Sequence, residues 1–319
     1  MNITLTVLSQ VTIMFLLIGV GLYCYRKEIL NEETAGQLSE ILLMIITPAV
    51  IIRAFQIEFN PSLAKGLVVS CVLAVLSHLT GILISVLLVR KQKGKKEYKV
   101  ERFACVYGNA SFMGIPLIAS VLPENGVFFA SAYIAVFNIF IWTHGVTLIS
   151  GKFSPKELLK VLKSPPIIGV FLGLIMFFAS FRLPHVIGSS ISFIADLNTP
   201  LAMLVTGIYI AKSKLLTAFT DLKIYKVALS RLLFIPAIMI LLLMFVSVTT
   251  DLKPVFIANI LASACPTAAT TLLIATKFRA GPEHASRIIA ATTVFSVITI
   301  PLIMLMMDKL IGKFPVINF

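Results

Sequence analysis

Polar residues that could hold an anion occur beside helix breakers at two places in an otherwise apolar chain. They are Gly108, Asn109 and Ser111 at the first place, and Pro266, Thr267, Thr270 and Thr271 at the second. Glycine permits unwound backbone, and proline interrupts the hydrogen bonding of a helix. N–H groups at a helix start favour a bound anion, and Asn, Ser and Thr add uncharged donors. These residues are therefore candidates for binding a carboxylate, unless Ser and Thr only bond back to their own helices.

The composition places those residues in a membrane protein. Of the 319 residues, 58% are hydrophobic and 13% are charged, and the mean hydropathy is +1.00. Soluble domains carry about 25% charged residues, so an ordinary cytosolic enzyme and a disordered chain are both excluded. The four cysteines have no spacing typical of zinc ligation or of a disulfide framework. We therefore expect an all-α polytopic membrane protein without a metal or a cofactor, while a coupling H⁺ or Na⁺ is left open.

Ten apolar segments have the length of membrane spans, which is about 20 residues for a hydrocarbon core of about 30 Å. The predicted spans 1 to 10 are Leu5–Tyr25, Gln37–Phe55, Gly66–Val89, Phe103–Leu122, Val127–Ser150, Ile167–Phe181, Ile191–Ala211, Ile224–Val248, Val255–Thr276 and Ile288–Met307. Their connections are too short for a soluble domain, so we expect the function to lie within the helix bundle.

The distribution of basic residues predicts the orientation. The odd-numbered connections hold 19 Lys and Arg residues, and the even-numbered connections with both tails hold 5. Basic loops stay in the cytoplasm, which places both termini outside it in the cell (inner) membrane. The richest loop, Arg90–Arg102, is interpreted as a solvated cytoplasmic loop, with contact to anionic lipid as the alternative. The net charge of +13 is thus explained by the basic cytoplasmic loops of a membrane protein, and no nucleic-acid partner is expected.

Two halves of the chain repeat each other. Thr47-Pro48 in span 2 recurs as Thr199-Pro200 in span 7, and Pro123-Glu124 after span 4 recurs as Pro282-Glu283 after span 9. We interpret residues 1–150 and 151–319 as two five-helix repeats. Because five is odd, the second repeat enters the membrane from the opposite side, an arrangement typical of secondary transporters with interrupted helices at the substrate site.

Two charged residues inside the spans are candidates for coupling or support, together with Thr47, Pro48, Thr199 and Pro200. Asp196 could carry a coupling proton, pair with a cation or serve at the interface. Arg53 is interpreted as snorkelling to the surface, and the alternative is a carboxylate partner, either Asp196 or the substrate. His78 and His144 have a pKa range that suits proton transfer, although satisfied bundle histidines are commoner.

The segment Gly108–Leu117, which reads GNASFMGIPL, resembles the span-4 motif of the auxin efflux carrier family, which includes plant auxin carriers and bacterial malate- or malonate-type permeases. Cys265-Pro266-Thr267 and the residues up to Pro301-Leu302 resemble the family's C-terminal segment. The resemblance implies ten helices in a 5+5 inverted repeat, with spans 4 and 9 broken and crossed. It also implies a scaffold of spans 1, 2, 6 and 7 and a transport domain of spans 3–5 and 8–10.

By the same resemblance, Asn109 matches the family's substrate-contacting Asn, and Pro266 matches the proline of its crossover. Gly108 stands where the plant carriers have proline. No sequence signature of an intramembrane enzyme or an ATP-driven pump is present. The expected function is that of a secondary active transporter of small organic anions, such as mono- or dicarboxylates, by alternating access. An uncoupled channel and a membrane-embedded ligand sensor are the alternatives, and a homodimer is left open.

Overall fold

The chain folds into helices throughout the part that the computed structural model describes, which comprises residues 3–92, 96–152, 162–213, 215–244 and 252–311. The helices are α1 (Ile3–Arg26), α2 (Glu32–Ala54), α3 (Pro61–Leu88), α4 (Glu97–Val106), α5 (Ala110–Val121), α6 (Gly126–Ser150), α7 (Pro165–Phe178), α8 (His185–Lys212), α9 (Leu215–Ala218), α10 (Leu222–Leu242), α11 (Lys253–Ala264), α12 (Thr270–Lys277) and α13 (Pro282–Ile311). No sheet forms within these ranges.

Seven of these helices are long and apolar enough to cross a membrane: α1, α2, α3, α6, α8, α10 and α13. They coincide with predicted spans 1, 2, 3, 5, 7, 8 and 10, except that residues 245–248 at the end of span 8 lie outside the described residues. Exposed leucines and valines on their outer faces, such as Leu16, Val68 and Leu83, would be costly in water. The protein is therefore a multi-pass integral membrane protein.

The other three predicted spans differ from single long helices. Span 4 is divided into α4 and α5, and span 9 is divided into α11 and α12, because the backbone leaves the helical conformation between them. Span 6 corresponds to α7, which has only 14 residues. Part of the predicted loop Arg90–Arg102 is also helical, since α4 begins at Glu97 and buries Tyr98 and Val100. Residues 93–95 of that loop lie outside the described residues.

Four helices contain a widened π-helical turn: Leu42–Ile46, Ala110–Gly114, Ile141–Gly145 and Ser230–Phe234. Three of these turns have a local cause, because Pro48, Pro116 and Pro236 stand two residues beyond their ends. A proline ring clashes with the carbonyl four residues earlier and cannot donate to it. Each of those carbonyls belongs to the middle residue of the π turn, where the widening removes the clash. Such turns occur frequently at functional sites.

The helices α1 and α8 touch each other through their backbones. A Cβ atom on Gly21 of α1 would overlap the backbone of Leu204, and one on Gly207 of α8 would overlap the backbone of Ile18 and Leu22. Small residues at both positions allow this approach, which is a common way for membrane helices to gain packing energy. The contact joins the first helix of the chain to a helix of its second half.

We expect Gly21→Ala to destabilise the protein by about 1–3 kcal/mol, because backbone cannot yield to the added methyl group as a side chain can. Gly19→Ala is the matched control on the same helix, since no heavy atom lies within 4 Å of its added Cβ. Alanine is also the better helix former by about 1 kcal/mol, so the control should be neutral or stabilising. Thermal unfolding of the purified variants in detergent measures the difference. Equal unfolding temperatures for both variants would contradict this packing.

Candidate functional site

The two helix interruptions lie against each other. Tyr107, at the end of α4, and Cys265, at the end of α11, have extended backbone conformations, with φ/ψ of −100°/102° and −64°/147°. Gly108 pairs with Thr267 in an antiparallel bridge. The Asn109 N–H donates to the Pro266 carbonyl at 2.7 Å, and the Ala268 N–H donates to the Tyr107 carbonyl at 2.9 Å. Backbone groups that leave a helix inside a membrane need such partners, because lipid offers none.

One buried arginine binds the carbonyl ends of both interrupted helices. Arg231 extends from the π turn of α10 and is 1% exposed. Its Nη1 donates to the carbonyl of Val106 at 3.0 Å, its Nε to that of Cys265 at 2.9 Å, and its Nη2 to that of Ser263 at 2.8 Å. A helix leaves its last four carbonyls without intrahelical donors and carries partial negative charge there. The guanidinium therefore satisfies and neutralises the C-terminal ends of α4 and α11 together.

The residue type at position 108 follows from this arginine. A Cβ atom at Gly108 would overlap the guanidinium of Arg231. A residue with a side chain, including the proline of the plant carriers, would therefore displace Arg231 from the carbonyls that it binds. Glycine is required here by close approach and also permits the extended backbone at the break.

Two connected cavities adjoin the interruptions on the side where α5 and α12 begin. The inner cavity, of about 30 Å³, is lined by Leu43, Gly108, Asn109, Ser111, Phe112, Phe137, Ala268, Ala269 and Thr270. The outer cavity, of about 230 Å³, shares Leu43, Ser111, Phe137 and Thr270 with it and continues past Asn138, Trp142, Pro165 and Lys277. The π turns of α2, α5 and α6 all contribute lining residues.

Four of the seven candidate binding residues line the cavities: Gly108, Asn109, Ser111 and Thr270. The Thr270 hydroxyl is buried and has no hydrogen-bond partner among the described residues. Gly108 contributes backbone to the inner cavity. Thr271 is 1% exposed, and its hydroxyl also has no partner among the described residues. Thr271 lines neither cavity, whereas Asn109, Ser111 and Thr270 place polar groups at the cavities where α5 and α12 start.

Thr267 and Pro266 line neither cavity and instead hold the interruption together. The Thr267 hydroxyl donates to the carbonyl of Ala104 at 3.2 Å, and its N–H donates to the Thr292 hydroxyl of α13, also at 3.2 Å. The Pro266 carbonyl accepts the Asn109 N–H. Substrate binding by these two residues stays a prediction, and in this conformation their hydrogen-bonding groups are directed at protein.

The candidates for coupling or support lie apart from the two cavities. Asp196 and Arg53 form an ion pair of 2.5 Å with side chains that are 68% and 40% exposed. The alternative predicted for Arg53 was a carboxylate partner, either Asp196 or the substrate, and in the structure that partner is Asp196. The two Thr-Pro pairs differ in their surroundings. Thr47 is fully buried, and Pro48 packs against Gly169 of α7. Thr199 is half-buried, and Pro200 is exposed. Their roles in transport stay predictions.

The two bundle histidines have different surroundings. His144 Nδ1 lies 2.9 Å from the hydroxyl of Tyr107, which donates to the Phe140 carbonyl. His78 Nδ1 lies 2.7 Å from the Ala74 carbonyl of its own helix, and its ring stacks on Phe140 at 5.0 Å between centroids. Both histidine rings therefore pack near Tyr107, the aromatic residue that precedes the first interruption.

Sequence reasoning did not select Arg231, although it recognised the residue as lying inside span 8. An ionisable residue within a span is a functional candidate by default, and that signal could have identified it. Its partners could not be identified, because carbonyl groups of Val106, Ser263 and Cys265 leave no mark in the sequence. Two more buried ionisable residues, Glu101 and His284, were also not selected.

We expect Arg231→Met to lower the free energy of unfolding by at least about 3 kcal/mol, because each buried acceptor left without a donor costs about 1–3 kcal/mol. Arg53→Met is the matched control, since it removes the other arginine of the spans from an exposed pair worth about 0–1 kcal/mol. Denaturation of both variants in the same detergent gives the comparison. Similar losses for the two variants would argue against a special role of the buried guanidinium.

Comparison with known proteins agrees with this architecture. The sequence model of the family described as membrane transport protein matches residues 6–154 and 150–304. A protein of Methanocaldococcus jannaschii described as an uncharacterized transporter is 26% identical over 311 residues, which cover 92% of this chain and 97% of that protein. The resemblance to the auxin efflux carrier family predicted from the motifs is thereby confirmed. The chain belongs to the membrane transport protein family.

Proposed function

We propose that this protein is a secondary active transporter of small organic anions, such as mono- or dicarboxylates, and that it works by alternating access. The observation that carries the proposal is the buried Thr270 hydroxyl, which has no hydrogen-bond partner among the residues that the structure describes and lies next to Asn109 and Ser111 at the inner cavity. A buried polar group without a partner costs free energy, and a ligand can supply the missing hydrogen bond.

The electrostatics of the interruptions favour an anion as that ligand. The helices α5 and α12 begin at the cavities, so their N-terminal N–H groups contribute partial positive charge there. The opposing negative ends of α4 and α11 are already compensated by Arg231. Lys277 is the charged residue among those lining the outer cavity, and no acidic residue is among them. The balance of charge at the cavities is therefore positive.

The size of the outer cavity favours a small substrate. Its volume of about 230 Å³ is below the range of about 300–1,000 Å³ in which drug-sized ligands bind. Its walls are mostly apolar, with aromatic residues Phe137 and Trp142, and it shares the polar residues Ser111 and Thr270 with the inner cavity. A small acid would place its carboxylate at Asn109 and Thr270 and its carbon chain against these walls.

The finer architecture belongs to the same proposal. Helices α4 with α5 and α11 with α12 act as two crossed spans, which with α7 and the seven long helices make ten spans in a 5+5 inverted repeat. Spans 1, 2, 6 and 7 form a scaffold against which the transport domain of spans 3–5 and 8–10 moves. The distribution of Lys and Arg supports cytoplasmic odd-numbered loops, external termini and a location in the cell (inner) membrane.

Alternating access fits the position of the outer cavity. Lys277 begins the ninth predicted connection, and Pro165 lies near the end of the fifth, so the cavity that both residues line adjoins the side of the basic loops. A carrier in this conformation would accept or release its substrate in the cytoplasm. An uncoupled channel would give ohmic single-channel currents, and a ligand sensor would bind acids without moving them across the bilayer. Saturable uptake with counterflow in proteoliposomes distinguishes a carrier from both.

We expect Asn109→Ala to reduce the ratio of maximal uptake rate to KM by at least about tenfold, which corresponds to losing about 1.4 kcal/mol of interaction with the substrate. Asn125→Ala is the matched control, because Asn125 precedes α6 without a side-chain cap hydrogen bond and lines neither cavity. Uptake of radiolabelled pyruvate, malonate and succinate into proteoliposomes is the measurement. Unchanged uptake by a folded Asn109→Ala protein would exclude this site.

We expect Lys277→Gln to raise KM for an anionic substrate about two- to fivefold, because an exposed charge contributes at most about 1 kcal/mol. The effect should shrink at high ionic strength, where exposed charges are screened. Lys226→Gln is the control, since Lys226 is also exposed but lines neither cavity. An equal effect of both variants at all salt concentrations would contradict a local role of Lys277.

A further inference from the structure

Six phenylalanines gather at the end of the bundle opposite the outer cavity, and we call them the aromatic cluster. They are Phe55 and Phe59 just beyond α2, Phe128 and Phe129 at the start of α6, and Phe177 and Phe178 at the end of α7. Three of the rings are fully buried, since Phe55, Phe128 and Phe177 are at most 1% exposed. This end of the bundle is therefore closed by packed apolar side chains.

Phe128 is the ring that joins the three helices. Its centroid lies 4.8 Å from that of Phe55, edge to face, and 5.0 Å from that of Phe177. Phe59 extends the cluster, with its centroid 5.3 Å from that of Phe177. Tilted and edge-to-face rings at about 4.5–7 Å are the favourable arrangement of aromatic pairs. At this end, α6 is thus held against α2 and α7 by contacts between rings.

The same three helices line the outer cavity farther along their length. Phe128 and the cavity residue Trp142 are 14 residues apart on α6, and Phe177 and the cavity residue Pro165 are 12 residues apart on α7. These separations correspond to about 18–21 Å along a helix axis. The helix α2 also contributes to both places. One end of the three helices therefore borders a cavity while the other is packed shut, which is the asymmetry that each state in alternating access needs.

The ring contacts of Phe128 cross the boundary between the two proposed domains. Phe128 lies in span 5 of the transport domain, whereas Phe55 and Phe177 lie in spans 2 and 6 of the scaffold. Motion of one domain against the other must therefore separate Phe128 from both rings. Separating apolar rings leaves no hydrogen-bonding group without a partner, so this contact can open without that cost.

The neighbouring rings and polar groups are fixed within one domain. A Cβ atom on Gly173 of α7 would overlap the ring of Phe55, and one on Gly66 of α3 would overlap the ring of Phe129. The Ser70 hydroxyl of α3 donates to the Phe129 carbonyl at 2.8 Å. Phe55 is thereby seated on the scaffold and Phe129 on the transport domain, and the surface between them is apolar.

We infer that Phe128, packed against Phe55 and Phe177, is the gate that closes the substrate site to the compartment opposite the outer cavity. The inference rests on the proposed transport function and adds the place where the second side opens. Apolar constrictions exclude water and thereby block the passage of polar solutes. When the transport domain moves, Phe128 leaves the other two rings, this end opens, and the walls of the outer cavity close. In the proposed orientation, the gate faces the outside of the cell.

The test uses the one tryptophan of the chain. Trp142 lines the outer cavity, so its fluorescence reports on that cavity without a label. Quenching by acrylamide measures the accessibility of the ring in purified protein without substrate, and this quencher is neutral, so Lys277 does not attract it. Removing contacts that exist in one of two states shifts the population to the other state. A weakened gate should therefore lower quenching, because the outer cavity closes when the gate opens.

We expect Phe128→Ala to lower the quenching constant of Trp142 at least about twofold, the change expected when half or more of the molecules adopt the other state. Phe129→Ala is the matched control: it removes the adjacent ring, which is 2% exposed but is seated on α3, and it should leave quenching unchanged. Phe128→Leu is the second variant, because it keeps an apolar side chain if the alanine variant does not fold. It should lower quenching to a smaller extent, and thermal unfolding establishes which variants are folded.

Two outcomes would overturn the gate and leave the proposed function intact. They are unchanged or increased quenching in the folded Phe128 variants, and an equal decrease in the Phe128 and Phe129 variants, which assigns the rings to packing. Uptake of radiolabelled pyruvate, malonate and succinate by unmodified protein in proteoliposomes tests the proposed function separately. Absence of uptake overturns that function and the gate with it. A decrease confined to the Phe128 variants, together with uptake by unmodified protein, supports the gate.

Discussion

The arrangement of this protein depends on one interaction, the binding of Arg231 to the carbonyl ends of two interrupted helices. Two helix ends of the same polarity meet there, and each carries unsatisfied acceptors and partial negative charge. Without a cation between them, the ends of α4 and α11 would repel each other inside a membrane. The guanidinium is suited to this position because it offers five donors in a fixed plane and keeps its charge when buried.

This interaction separates the two kinds of helix end at the interruptions. The carbonyl groups at the ends of α4 and α11 are satisfied by hydrogen bonds from Arg231 and by the backbone bridge between Gly108 and Thr267. The amide ends of α5 and α12 begin beside the cavities, where Asn109 and Thr270 add side-chain groups. One side of the interruptions is thereby filled by hydrogen bonds between protein groups, and the other adjoins the cavities.

The sequence predicted the positions of the interruptions because glycine, proline and small polar residues have local effects on backbone conformation. It also predicted seven long helices correctly from their apolar length. It could not predict that Thr270 lines the cavities while Thr267 binds other protein groups. Both threonines follow the same proline, and only their three-dimensional neighbours differ. Glu101 was interpreted as part of a loop for a similar reason: its burial depends on α10 and α13, which lie more than 100 residues away in the chain.

The clamp made by Arg231 also has a consequence for how sequences of this kind can diverge. Its partners are main-chain oxygens of residues 106, 262, 263 and 265, and every amino acid supplies an identical oxygen. Amino-acid substitutions at those four positions therefore leave the acceptors of the Arg231 hydrogen bonds chemically unchanged. The restriction falls on position 108, where any β-carbon would meet the guanidinium. A substitution of this glycine would therefore require the guanidinium of Arg231 to move from its present position.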